Sequence, residues 1–269
     1  MFQNFCSFFG SISLLVTTCA HAQASFQIGP KLGLNAISTS YVDFDPYINQ
    51  RRSFNTHSRV GLEAGVQVSI GFSNFSLQPA LLFSQKGFRV NDISDAPAPN
   101  QAHVEFEYDA HFSYLMLPLN LAYTFQSDGQ GVQLFAGPYV SWLIGGRFNS
   151  RVTRSLNGGS PSTFSYSNDV EGSGPYHMID VNSIASFQDK TFYSRRVDAG
   201  FQAGVGYQMG ALLLQASFSQ GMQNLGVGIE TVNGTQSSRE MGPDYKNRAI
   251  HLSISYFVIA KNKNYTLSK

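Results

Sequence analysis

The sequence predicts an all-β fold, a transmembrane antiparallel up-and-down β-barrel of about eight strands, and three observations predict it. Eight segments alternate apolar and polar residues with a period of two, which places one class on each face of a strand. The connections between them alternate between short turns and long polar stretches. Charged residues make up only 13 % of the chain, against roughly 25 % in an ordinary soluble domain.

The segments follow in order along the chain. Phe26, Ile28, Leu32 and Leu34 share the apolar phase of the first, which runs to Ala36. The second carries Val60, Leu62, Ala64, Val66, Val68, Ile70 and Phe72, and the third Phe75, Leu77, Leu81 and Phe83. Leu115, Leu117, Leu119, Leu121, Tyr123 and Phe125 make the fourth; Val132, Leu134, Ala136, Val140 and Trp142 make the fifth. The sixth has Val197, Ala199, Phe201, Ala203, Val205 and Tyr207, the seventh Leu212, Leu214, Ala216 and Phe218, and the eighth Ile250, Leu252, Ile254 and Tyr256. Pro79, Pro118 and Pro138 fall inside these segments, where each removes a ladder donor, so bulges or lumen water are expected to accommodate them.

Turns at Gly71-Phe72-Ser73-Asn74, Gln126 to Gly131 and Met209-Gly210 join segments two to three, four to five and six to seven. The other connections, about 37–59, 87–113, 145–196 and 225–247, are long and polar, with room for a short helix around Met178 to Phe187. Short turns at one rim and long loops at the other are the layout of an outer-membrane barrel, with turns periplasmic and loops extracellular. An even strand number leaves both termini in the periplasm.

Alternation alone does not say which face meets lipid. No Asp, Glu, Lys or Arg occurs in the apolar phase of any segment, as expected where a charge costs roughly 2–4 kcal/mol at the bilayer midplane. The opposite phase is mostly Gly, Ser, Gln, Asn and Ala. Such residues suit the crowded interior of an eight-stranded barrel better than a solvated strand face. Phe72, Phe75, Tyr123, Phe125, Tyr207 and Tyr256, with Phe26 and Phe257, gather near the short turns like the periplasmic half of an interfacial aromatic girdle. Phe83, Tyr139, Trp142, Phe201 and Phe218 form a second group toward the loop rim.

The N-terminal stretch reads as an export signal. An apolar run from Phe5 to Val16 leads to Ala20-His21-Ala22, so residues 1–22 are expected to be removed, with Ala24 as a second cleavage position. Both cysteines, Cys6 and Cys19, would leave with it, so the mature chain has neither disulfide nor thiolate chemistry. The expected organisation is a signal at 1–22, a barrel at 23–258 and a basic periplasmic tail at 259–269. The formal net charge of +1 gives no nucleic-acid footprint.

The strand sequences also resemble a known family, the PorT-type outer-membrane β-barrel proteins of the Bacteroidetes lineage. The resemblance rests on Ser76-Leu-Gln-Pro-Ala-Leu-Leu-Phe-Ser-Gln-Lys-Gly-Phe88, Tyr114-Leu-Met-Leu-Pro-Leu119, Phe135-Ala-Gly-Pro-Tyr139 and Val197-Asp-Ala-Gly-Phe-Gln-Ala-Gly-Val-Gly-Tyr207. Phe218-Ser-Gln-Gly-Met-Gln-Asn-Leu225 and Asn247-Arg-Ala-Ile-His-Leu-Ser-Ile-Ser-Tyr256 complete it. It implies a Gram-negative outer membrane, insertion by the barrel assembly machinery and, for some members, a link to protein secretion. The chain departs from the pattern at Ile259 to Lys269, which follow the expected terminal aromatic strand.

Candidate chemistry is sparse. The inward phase carries Lys31, Glu63 and Asp198 and the imidazole of His251. These suit either a proton or ligand relay or a paired network that fills the barrel, and the cost of an unpaired buried charge favours the network. His57, His103, His111 and His177 lie scattered over three loops with no nucleophile motif nearby. His103, Glu105, Glu107, Asp109 and His111 alternate like one strand face and offer carboxylate and imidazole metal ligands; a solvated extension of the fourth strand explains them as well. Arg51, Arg52, Arg147, Arg151 and Arg154 are placed to meet lipopolysaccharide phosphates at the outer rim. No catalytic residue, cofactor site or metal site is expected. The expected function is a non-enzymatic outer-membrane barrel with a plugged lumen, acting as a structural, surface-interaction or secretion-associated protein through its loops. An outer-membrane enzyme with a loop-borne site and a narrow channel are the alternatives.

Overall fold

The computed structural model describes residues 25–45, 48–95, 102–126, 128–156, 158–180, 191–233 and 236–259. The expected export signal, both cysteines and residues 260–269 fall outside them.

Eight strands close into an antiparallel ring: β1 (Ser25–Asp45), β3 (Thr56–Phe72), β4 (Phe75–Asp95), β5 (Ala102–Thr124), β6 (Gly131–Leu156), β10 (Val197–Met209), β11 (Leu212–Gly221) and β14 (Asp244–Tyr256). Each pairs with the next, β14 pairs with β1, and β6 pairs with β10, which leaves no free edge around the ring. All eight predicted segments are ring strands. Their short connections are where the sequence places them, at Ser73-Asn74, between Thr124 and Gly131, and at Gly210-Ala211. Gly210 has φ +58°, a left-handed conformation that a tight hairpin needs and glycine adopts without steric cost.

In the lower half of the ring the apolar phase points outward. Leu115, Leu117, Leu119, Leu121 and Tyr123 are exposed on β5, while Tyr114, Met116, Asn120, Ala122 and Thr124 are buried. The outward row from Leu115 to Tyr123 matches the roughly 9–11 residues with which a tilted strand crosses a membrane. Phe257, grouped by sequence with the girdle, is buried instead: it continues the inward phase of Ser255 below the last ring strand. Tyr139 is likewise inside, because it alternates with the outward Val140 and Trp142 rather than sharing their phase.

The long polar connections expected at 87–113 and 145–196 are largely strand. β4 and β5 pair without a break in register from Leu82–Met116 to Asp95–His103, and β5 and β6 stay paired to Ala102–Leu156. Above the apolar band the meaning of the alternation reverses. Phe88 and Val90 on β4, and Ala102, Val104, Phe106, Ala110 and Phe112 on β5, are buried inside, and charged and polar residues face outward. Water replaces lipid around the wall at that height, so the apolar phase gains by turning inward. A buried aromatic cluster lies in this upper interior, with Tyr41, Phe54, Phe88, Phe106, Phe112, Tyr114, Phe148 and Tyr245 among its members.

β6 makes the change with a bulge. Ser113 faces Gly145 but Tyr114 faces Leu143, so one extra residue shifts the inward phase from odd to even positions. Gly145 takes φ +148° there. At the same place β6 exchanges partners, from β10 below (Gly131 to Trp142) to β7 (Ser162–Ser173) above (Arg147 to Arg154). The strand prolines differ from expectation. Register runs unshifted through Pro79, Pro118 and Pro138, so no bulge forms at them; on one side of each the ladder skips two successive pairs and resumes in the same register.

Smaller strands complete the far end. β2 (Gln50–Phe54) pairs with β1 and β9 (Thr191–Arg195) pairs in parallel with β7, whereas β15 (Val258–Ile259) continues along β1 at the turn end, beside Gln27 and Ile28. β8 (Tyr176–Asp180), β12 (Gly228–Asn233) and β13 (Gln236–Glu240) form a separate three-stranded sheet. Residues 176–180 are therefore strand rather than the start of a helix; the remainder of that expected helix, 181–187, lies outside the described residues.

Candidate functional site

Two regions concentrate polar chemistry, the interior of the ring and its far tip. Inside, the side chains stack in layers. The layer nearest the turns is built on glutamine amides. Gln78 donates to Gln133 (2.9 Å) and Ser76 (3.0 Å) and accepts from Gln67 (3.3 Å) and Gln215 (3.1 Å). Lys31 donates to Gln215 at 2.6 Å and joins this layer.

The next layer is centred on Glu63. Its Oε1 accepts from Ser84 at 2.8 Å and Asn35 at 3.1 Å and lies 3.0 Å from His251 Nδ1. His251 Nε2 lies 2.8 Å from the Ser219 hydroxyl. An Nδ1–H tautomer that donates to Glu63 and accepts from Ser219 satisfies both contacts. Strand pleating brings these groups together, since Glu63 and Ser84 are register partners and so are Asn35 and His251. Glu63→Gln keeps the shape but removes the charge that strengthens these bonds. It is expected to cost about 1–3 kcal/mol, read as a lower urea midpoint and lost heat resistance in gels.

The third layer holds Asp198. Its Oδ2 accepts from Lys86 (3.2 Å), Asn247 (3.0 Å) and Tyr139 (3.4 Å). Lys86 and Asp198 are both fully buried, and the Lys86 ammonium also lies 4.9 and 5.2 Å from the ring centroids of Tyr139 and Tyr114. The four inward residues singled out in the sequence are thus all buried. Glu63 and His251 meet, while Asp198 pairs with Lys86 and Lys31 joins the glutamines. Lys86 is the charge that sequence reasoning missed. Its signal was the continuation of the Ser76, Gln78, Ser84 phase by two residues, hidden by Gly87, which reads as the start of a loop.

The outward aromatics Phe72, Phe75, Tyr123, Phe125, Tyr207 and Tyr256 are all exposed near the turn end. Phe72, Phe75, Tyr123 and Phe125 form a row with successive ring centroids 6.3, 5.1 and 5.5 Å apart.

At the far tip the alternating face of β5 is solvated, and within it side chains meet in pairs, His103 Nε2 3.6 Å from Glu105 and His111 Nε2 3.5 Å from Asp109. His103 Nδ1 lies 2.6 Å from Asp95, Glu107 pairs with Arg151 at 3.2 Å, and Asp109 pairs with Arg59 and, at 3.5 Å, with Arg89. No group of three His, Cys, Asp or Glu side chains able to hold a metal occurs among the described residues. His177 stacks on Tyr193 at 3.6 Å. Of the arginines considered for phosphate contacts, Arg52 is held between Asp45 and Asp92, both at 2.8 Å, and Arg51 pairs with Asp244 at 3.1 Å. Arg147 lies 3.7 Å from Asp169.

The hydrogen bond to Asp95 holds the His103 pKa above the ordinary histidine range. A raised folded-state pKa means the contact is fully present below the unfolded value and is lost as pH rises through the folded one. Both groups are exposed, so the effect on stability is small. The test is an NMR titration, in which Asp95→Asn is expected to bring the His103 midpoint back toward the ordinary value.

The sequence profile of a family described as outer membrane protein beta-barrel domain matches residues 21–226. No curated protein matches the chain. Similar solved structures include OprG of Pseudomonas aeruginosa, 12 % identical, covering 89 % of this chain and 98 % of that one with a TM-score of 0.38. The attachment invasion locus protein Ail of Yersinia pestis is 9 % identical over 87 % of this chain and 99 % of that one, with a TM-score of 0.35. Neisserial surface protein A is 12 % identical over 87 % and 97 %, with a TM-score of 0.33.

Proposed function

Because this chain belongs to the outer membrane protein β-barrel domain family, whose members reside in the outer membrane, we propose that it is a closed, non-conducting barrel whose long strands carry an interaction surface outside the cell. One observation carries the reading. The inward face carries in succession a hydrogen-bonded glutamine layer, two charged nodes and an aromatic cluster, and Phe88, Phe112 and Tyr114 are 0–1 % exposed. Eight strands leave room inside only for side chains, which supports a closed lumen.

In this reading the hairpin turns face the periplasm, both ends of the mature chain lie there after removal of the export signal, and the extended ends of β4 to β7 point outward. Their hydrophobic interior makes them a rigid projection above the lipid instead of a set of loose loops. Recognition commonly sits on the connections of such scaffolds. The protein acts there as a structural, surface-interaction or secretion-associated component, the last in keeping with the PorT-type resemblance, and it performs no catalysis. Its lipid partners are the outer-leaflet glycolipids around the wall, with the outward arginines toward their phosphates.

Two measurements test this. Purified protein in planar bilayers is expected to give no steady single-channel conductance, and reproducible unitary steps would overturn the closed lumen. Protease added to intact cells is expected to cut near Gly158 and Gly159, between β6 and β7. Protection of that site in intact cells, with cleavage only after permeabilisation, would reverse the topology.

A further inference from the structure

The outward face of β14 is a graded column. From the turn end upward it presents Tyr256, Ile254, Leu252 and Ile250, all exposed, and then Arg248, Lys246 and Asp244. The apolar part continues the lipid-facing wall, since Ile250 is the register partner of Phe218 on β11 and of Ala36 on β1. Arg248 is the next outward residue, about 7 Å further along the strand, and Lys246 stands about 7 Å beyond that. Two cations therefore occupy successive outward positions immediately above the apolar band. Their flanks are neutral: Ser38 and Gln220 are the register partners of Arg248, and Ser40 is that of Lys246.

The outward arginines of the tip are in a different state. Arg51, Arg89, Arg147 and Arg151 lie beside the carboxylates of Asp244, Asp109, Asp169 and Glu107 respectively. Lys246 and Arg248 have neither an ion pair nor a side-chain hydrogen bond among the described residues. The acid nearest to them along β14, Asp244, is already held by Arg51 and Asn224.

We propose that Lys246 and Arg248 form a binding site for the phosphate group of an outer-leaflet glycolipid, whose acyl chains lie against Ile250, Phe218 and Leu252 below. The site rests on the extracellular orientation of the loops proposed for this chain, which sets these two residues at the level of the headgroups. Charge complementarity selects the ligand. A phosphate offers Arg248 a bidentate acceptor and Lys246 a compact counter-charge, with the Ser38 and Ser40 hydroxyls beside them as further donors. Long basic side chains keep their stems on apolar surface and their charged heads in the polar layer. A free phosphate ion would use the cations and gain nothing from the apolar column beneath them, whereas a phosphorylated lipid uses both.

Native mass spectrometry of the purified intact protein, released from micelles containing either monophosphoryl lipid A or the same lipid A after enzymatic dephosphorylation, tests the site. Removal of the phosphate is expected to weaken retention by roughly tenfold or more. Lys246→Gln combined with Arg248→Gln is expected to bring retention of the phosphorylated lipid down to the dephosphorylated level. Lys246→Arg, which keeps the charge, should retain it, and so should Arg151→Gln, whose guanidinium is paired with Glu107. Unchanged heat-modifiable migration in gels would show that the exposed substitutions leave the barrel folded. Equal retention of the two lipids, or a double glutamine variant that binds as well as the wild type, would overturn the site. Complete displacement of the lipid by an equimolar amount of inorganic phosphate would overturn the lipid as its occupant. Because the assay uses purified protein, its failure would strike this site alone, while protection of Gly158 and Gly159 in intact cells would strike the topology.

Discussion

Asp198→Ala is expected to destabilise the folded barrel by roughly 3–5 kcal/mol. Asp198 is the register-fixed counter-charge of Lys86, and both are fully buried. Removing the carboxylate leaves an ammonium inside the barrel with tyrosine faces at 4.9 and 5.2 Å as its remaining electrostatic support. It also strips acceptors from Asn247 and Tyr139. The attraction within the pair is largely cancelled by the desolvation of both ions, so deleting both should harm far less than deleting one. Lys86→Met combined with Asp198→Leu is accordingly expected to recover most of the loss. Urea unfolding in lipid vesicles, followed by the fluorescence of Trp142, the single tryptophan of the chain, measures both. A double variant as weak as Asp198→Ala would show that the pair stabilises the barrel through its charges.

Phe112→Ala is expected to cost about 3–5 kcal/mol for a different reason. Phe112 is 1 % exposed and stands at the centre of the upper cluster, with Phe88, Tyr114, Phe192 and Tyr245 at centroid distances of 6.1 to 6.4 Å. Truncation leaves a cavity in a packed interior surrounded by a water-facing wall. Phe201→Ala provides the contrast, because Phe201 is an outward aromatic, 58 % exposed, in the apolar band. It loses lipid contacts but opens no cavity. The same unfolding assay should separate the two by several-fold. Equal losses would mean that the upper strands contribute no core. The upper core should also weaken on cooling, as burial from water does. The band itself lacks that driving force, since lipid tails are as apolar as the side chains they meet.

Much of this was legible in the sequence. Alternation at Val60 to Phe72 or Leu115 to Phe125 has one solution in a closed ring, because a slip of one residue would put every leucine in the lumen. The same periodicity located Glu63, Asp198, His251 and Lys31 on the inward face before any partner was known. It failed above Lys86. There Phe88, Val90, Val104, Phe106 and Phe112 alternate as clearly as the lower strands do, and the outward face from His103 to His111 reads as a solvated extension of the fourth strand, but the inward turn of those apolar residues does not show in the pattern. Periodicity marks two faces of a strand without saying which solvent each one meets.

The sequence by itself therefore determined the strands, their order, the short turns and the residues of the inward face, since these follow from local pleating and from what a bilayer excludes. Only the tertiary structure decided the rest. Ring closure between β6 and β10 chose which buried charges meet, so that Lys86, not Lys31, neutralises Asp198. The height of each residue relative to the apolar band decided whether its aromatic side chains turn outward to lipid or inward to the core. Both depend on register between strands distant in the chain, which local patterns do not encode.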